Sequence, residues 1–153
     1  MTSDGTNTYK WDLAGNLTSA GTSKPTTYTY DGEGRRLSIT NGNTVVDAIW
    51  DPTTGQLNEE TNGTGSTLRS YAYAYGTSLV GLSTGGATYS YLTDAQGSIR
   101  AVVDSTGVAQ WTYSYEPYGA SKSAVSGGRL APTNTRKYLS ALTDGSSCDL
   151  TAR

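Results

Sequence analysis

Aromatic and apolar positions alternate with polar ones in short runs along this chain, and each run stops where an acidic residue and a glycine come together. The pattern is sharpest between positions 89 and 120, YSYLTDAQGSIRAVVDSTGVAQWTYSYEPYGA. Tyr89 and Tyr91 share one face of a strand, and Trp111, Tyr113 and Tyr115 share one face of another. That period of two, carried by aromatic and β-branched residues, is the signature of β-structure. Asp94 with Gly97, Asp104 with Gly107, and Glu116 and Pro117 with Gly119 mark the turns. Aspartate closes a turn on its own backbone, and glycine takes a positive φ at no steric cost. The stretch predicts a meander of hairpins. Just upstream, Tyr71, Tyr73 and Tyr75 alternate with Ala72 and Ala74, which places three rings on one face.

The same unit repeats in the N-terminal third. Trp11-Asp12 is followed by Gly15 and Leu17, Tyr30-Asp31 by Gly34 and Leu37, and Trp50-Asp51 by Gly55 and Leu57, with aromatic spacings of 19 and 20 residues. Each unit reads as an aromatic strand, an Asp-initiated turn, a left-handed glycine and a return strand opening on leucine; the third turn carries one extra residue. A lone hairpin is marginal in water, so neighbouring hairpins must stack to bury their aromatic faces. The predicted fold is all-β, an antiparallel hairpin-repeat sheet that spirals rather than a compact sandwich. Three regions follow: hairpin repeats over 1–70, the meander core over 71–120, and a linker with a post-core segment over 121–153. Within them, NEETNGTGSTL at 58–68 reads as a loop or long hairpin tip. The Ser-, Gly- and Pro-rich stretch after Gly119 reads as a linker, with a weak helical spacing at Tyr138, Leu139 and Leu142.

The order aromatic-x-Tyr, then TDAQGSIRAVVDSTG, then YSYEPYG resembles the core of the Rhs and YD-repeat proteins, most strongly over 71–120. The resemblance implies a β-spiral that closes into a hollow shell. It also implies a role in wrapping a C-terminal toxin or effector, or presenting it, at a secreted or cell-surface location. In the family, a self-cleavage motif and the effector lie beyond the block that Ala152-Arg153 matches, and neither is expected within these residues. Asp51-Pro52 reads as a turn, not as such a motif.

Composition changes the picture in two ways. Leu, Ile, Val and Phe number only 22 of 153 residues, about 14%, below the roughly 20% at which disorder is suspected. A formal charge of −2 with 12 Tyr and 3 Trp argues instead for a tyrosine-rich β core. The absence of histidine excludes Ser-His and Cys-His nucleophiles and histidine zinc sites. A single cysteine, Cys148, forms no intrachain disulfide and leaves the redox compartment unread.

No apolar run is long enough to span a bilayer, and the N-terminus lacks the parts of a signal peptide. The scattered 11 Lys and Arg leave no footprint for nucleic acid. The candidate carboxylates Asp31, Asp51, Asp94 and Asp104 all open turns, so no catalytic residue, cofactor or metal ligand is expected. The residues singled out are structural: Trp11, Asp12, Gly15, Tyr30, Asp31, Gly34, Trp50, Asp51, Gly55, Tyr91, Asp94, Gly97, Tyr113, Tyr115, Pro117 and Gly119. Expected partners are the rest of a parent chain or further copies, met through strand edges, and a C-terminal effector. An alternative is a carbohydrate-binding or adhesive module with Trp11, Trp50 and Trp111 as platforms, against which strand alternation commits the rings to packing.

Overall fold

The computed structural model describes residues 3–75, 78–117, 121–126 and 132–141. The chain forms two compact units, Met1–Leu68 and Arg69–Arg153. In the first, β1 (Tyr9–Trp11), β2 (Leu17–Ala20), β3 (Thr26–Tyr30), β4 (Arg36–Asn41), β5 (Thr44–Trp50) and β6 (Leu57–Asn62) pair antiparallel in chain order. The second takes up β7 (Thr67–Ala74) from Arg69 and continues through β8 (Ser78–Thr84), β9 (Ala87–Thr93), β10 (Ile99–Asp104), β11 (Ala109–Tyr115) and β12 (Ser121–Ser126), again in chain order. The fold is all-β and built of hairpins.

A bulge recurs at the start of the return strands, at their second residue or, in β8, at their third. Tyr30 pairs with Arg36 while Thr29 pairs with Ser38, so Leu37 is left over. The same skip leaves Thr18, Asn58, Val80, Arg100, Gln110 and Lys122 unpaired. Each bulge consumes one residue and deepens the local twist. It also resets which side chains face inward. Leu79 and Leu82, and likewise Ile99 and Val102, stand three residues apart yet are all buried. Strict alternation would send one of each pair to the opposite face.

This corrects the repeat as read from sequence. Leu37 is the bulged residue and is 40% exposed, whereas Arg36 takes the inward position held elsewhere by Leu17, Leu57, Leu79 and Ile99. The stretch 58–68 is not one long loop: β6 runs to Asn62 and β7 starts at Thr67. A polar strand escapes a reading based on apolar alternation. Residues 121–126, read as linker, form β12 on the edge of β11, because backbone pairing does not require apolar side chains. Tyr138–Ser140 is a single 3-10 turn in which Leu139 has φ 49°. Gly119, Leu142 and Cys148 lie outside the described residues.

Candidate functional site

One turn recurs in both units. At Asp12, Asp31, Asp94 and Asp104 the aspartate carbonyl accepts the N–H of the glycine three residues on, and the aspartate N–H donates to the carbonyl four residues on. The carboxylate accepts the backbone N–H of that same fourth residue: Asn16, Arg35, Ser98 and Val108, at 2.8 to 3.0 Å. Gly15, Gly34, Gly97 and Gly107 sit at φ between 79° and 88°, the left-handed region that completes this hairpin loop. Asp51 closes a turn one residue longer, with Gly55 four positions on. Asn62 and Gly65 make the same turn with an amide in place of the carboxylate. The repeat as read from the sequence is defined by aromatic-Asp pairs and does not include this copy; Asn at the same three-residue spacing from Gly is the signal for it.

Just before the turn, the aromatic ring of one hairpin reaches back to the hairpin before it. Tyr30 Oη donates to the Leu17 carbonyl at 2.8 Å, Trp50 Nε1 to the Arg36 carbonyl at 2.9 Å, and Tyr115 Oη to the Ile99 carbonyl at 2.7 Å. Each acceptor is the first residue of a return strand, beside the bulge. A bulge disrupts the ladder locally, and the ring's polar tip satisfies a carbonyl there. The aromatic residue that ends the strand, before Asp31, Asp51 or Glu116, therefore couples one repeat to the next.

The second unit adds a tyrosine face. Trp111, Tyr113 and Tyr115 stack along β11 with centroids 5.9 and 6.4 Å apart, and Tyr138 meets Tyr115 edge-on at 5.5 Å. Residues 132–141 cross this face as a strap. Trp111 Nε1 donates to the Pro132 carbonyl at 2.7 Å, and Tyr91 Oη to Asn134 Oδ1 at 2.8 Å. Asn134 Nδ2 donates to Tyr113 Oη at 3.2 Å and to the Arg136 carbonyl at 2.6 Å. Tyr71 and Thr135 share a hydroxyl bond of 2.7 Å. The Arg136 guanidinium lies 5.2 Å over the Tyr71 ring and donates to Tyr73 Oη. Burial pushes the Tyr73 and Tyr113 phenols upward, with Arg136 and Asn134 pulling the other way. Nothing in the periodicity of the chain announced this strap.

The carboxylates considered for catalysis are engaged by their own turns. Asp31, Asp51, Asp94 and Asp104 each accept at least two backbone N–H groups. The Arg35 guanidinium holds Asp31 below its ordinary range; the Asn16 side chain does so for Asp12, the Thr54 N–H for Asp51 and the Thr106 hydroxyl for Asp104. Trp11 on β1 and Trp50 on β5 are four strand spacings apart in the pairing order, roughly 19 Å, and the Trp50 and Trp111 indole N–H groups bond to backbone carbonyls. Trp11 is 48% exposed. Pro117 is exposed, and its carbonyl accepts the Tyr138 hydroxyl at 3.3 Å. Among the described residues no three His, Cys, Asp or Glu side chains cluster to hold a metal, and no helix is long and apolar enough to cross a membrane.

Comparison with known proteins agrees with this architecture. Residues 11–46 match the family model described as RHS Repeat. The chain is 34% identical over 122 residues to the tRNA3(Ser)-specific nuclease WapA of Bacillus spizizenii and 35% identical to the tRNA nuclease WapA of Bacillus subtilis strain 168. These matches cover 77% of the chain but only 5% of each relative. Among solved structures, the crystal structure of TcdB2-TccC3-TEV superposes with a TM-score of 0.69 at 18% identity, over 92% of this chain and 8% of that one. The Photorhabdus luminescens Tc holotoxin pore superposes at 0.66 and 16%, over 95% and 8%. At such identities the structures speak for the fold alone. With its repeated Asp-to-Gly hairpins and these relatives, the chain belongs to the RHS-repeat family.

Proposed function

We propose that this chain is a non-catalytic scaffold: a segment of a spiralling β-shell whose parent protein encloses or presents a C-terminal effector, secreted or at the cell surface. The observation that carries this reading is the repeat-to-repeat bond from aromatic tip to carbonyl, made alike at Tyr30, Trp50 and Tyr115. It spends polar groups on continuing a wall, and the turn carboxylates are spent the same way. The residues singled out from sequence serve this repeat, with 71–120 as the family core. The relatives are named tRNA nucleases, and the shared stretch is about 5% of their length; we assign the nuclease chemistry to other parts of those chains.

Strands at the border of a sheet template further strands. Among the described residues β1 pairs with β2 and β12 with β11, so their outer edges are the surfaces for the parent chain or a second copy. Size-exclusion chromatography with light scattering, with circular dichroism on the same peak, tests this. A β-rich oligomer that grows with concentration is expected; a β-rich monomer at high concentration overturns edge association. Cleavage of tRNA by the purified chain would overturn the non-catalytic reading. The exposed Trp11 alone favours the glycan reading, and a glycan-dependent shift of tryptophan emission would support it.

A further inference from the structure

The strap is held as a ligand is held. Its side-chain contacts come from three different strands, β7, β9 and β11, and most of them meet Asn134 and Arg136. The Asn134 amide is used in full: Oδ1 accepts from Tyr91 Oη and from the Arg136 N–H at 3.1 Å, while Nδ2 donates to Tyr113 Oη and the Arg136 carbonyl. Aspartate lacks the donor half of that set, and glutamine is one methylene too long to reach back to its own backbone two residues on. Arg136 presents a planar cation to the Tyr71 ring and a fork N–H to Tyr73, a combination that lysine does not reproduce. The Ile99 N–H donates to the Lys137 carbonyl at 3.0 Å, and the Leu139 N–H to Ser98 Oγ at 3.0 Å. Two directional side-chain readings plus main-chain bonds to the sheet are the ingredients of extended-peptide recognition.

We propose that the tyrosine face of the second unit is a sequence-specific peptide-binding site, reading an extended Asn-x-Arg segment. It is filled in this chain by residues 132–141 and equally by the same segment of a second copy. The ligand chemistry is a peptide that offers a backbone carbonyl to the Trp111 indole, a carboxamide to the pair Tyr91 and Tyr113, and a guanidinium to Tyr71 and Tyr73. Exchange of the segment between two copies would give association by swapping, independent of strand edges.

The test uses the full chain and a fluorescent peptide of sequence PTNTRKYLSA, which copies 132–141. In a chain carrying Asn134→Ala and Arg136→Ala the internal segment loses its two anchors. This variant is expected to bind the peptide saturably by anisotropy, and to bind a peptide with the same two alanines at least about tenfold more weakly. No binding by a variant that keeps its β-type circular dichroism, or equal binding of the two peptides, overturns the site. If the variant loses its strand signal, the wild-type chain decides. Excess peptide must speed hydrogen exchange at the chain's own Arg136 amide by displacing it, and unchanged exchange overturns the proposal.

Discussion

The two units use one hairpin grammar and reach different interiors. Among the described residues the buried hydrophobics of the first are Leu17, Tyr28 and Leu57, alongside buried Arg36, Glu60 and Thr61. The second buries Tyr71, Leu79, Leu82, Tyr91, Ile99, Val102 and Tyr113, with Ser98 as its buried polar residue, and lays a strap over its rings. Turns, bulges and aromatic tips are common property, so they specify the sheet. What separates the units is what meets the face of that sheet. A repeat thus fixes the wall, while residues outside the repeat decide which stretch of wall carries a core of its own.

Removing core volume tests that contrast most forcibly. Leu57 and Ile99 hold the same repeat position and are both fully buried. Truncating either to alanine is expected to cost about 2–5 kcal/mol. Ile99→Ala should be the costlier by denaturant titration, because sheet and strap converge there, and a reversed order would erase the distinction. Next comes Asn134→Ala, which strands the hydroxyl partners of Tyr91 and Tyr113 at about 1–3 kcal/mol. Hydrogen exchange should quicken at the Ile99 amide and stay unchanged at the Asp12 and Asp31 turns.

Changes to the shared grammar should act alike in both units. Gly34→Ala and Gly107→Ala force a Cβ into the left-handed region at φ 79° and 84°, at about 1–2 kcal/mol each, read as matched shifts in melting temperature. Tyr30→Phe and Tyr115→Phe delete the tip bonds to Leu17 and Ile99, for about 0.5–1.5 kcal/mol each; unequal values would show that the strap leans on Tyr115. The smallest effect per residue is acid sensitivity. Asp12, Asp31, Asp51 and Asp104 are all depressed in the folded chain. Their contribution is complete above the unfolded carboxyl range, near 3.9, and is lost as pH falls through the lower folded values. Melting temperature should therefore be flat at neutral pH and decline below about pH 4, and Asp31→Asn should shallow that decline.

Much of the architecture was legible because its signals are local. Asp12 and Gly15, or Asp104 and Gly107, contain within four residues the acceptor and the left-handed backbone that a turn needs. The inward register was not legible, since a bulge moves it by one position and made Leu37 look like the opening of the return strand where Arg36 belongs. β6 hid behind polar residues such as Glu60, whose burial depends on the fold around it. The strap was out of reach for a different reason: Thr135 meets Tyr71 across 64 positions and Arg136 meets Tyr73 across 63. No window of periodicity contains both ends.

That difference in separation also orders events in time. A turn that bonds Asp94 to Ser98 can close as soon as its few residues leave the ribosome, and hairpins follow one another as synthesis proceeds, since local contacts carry little loop-closure entropy. The Asn134 amide finds its acceptor and donor partners only after Tyr91 and Tyr113 are already side by side. Fastening of the strap is thus the last step of the second unit and a report that its sheet is complete. Pulse-labelled hydrogen exchange during refolding should accordingly protect the amides of Ser98 and Val108 before that of Ile99.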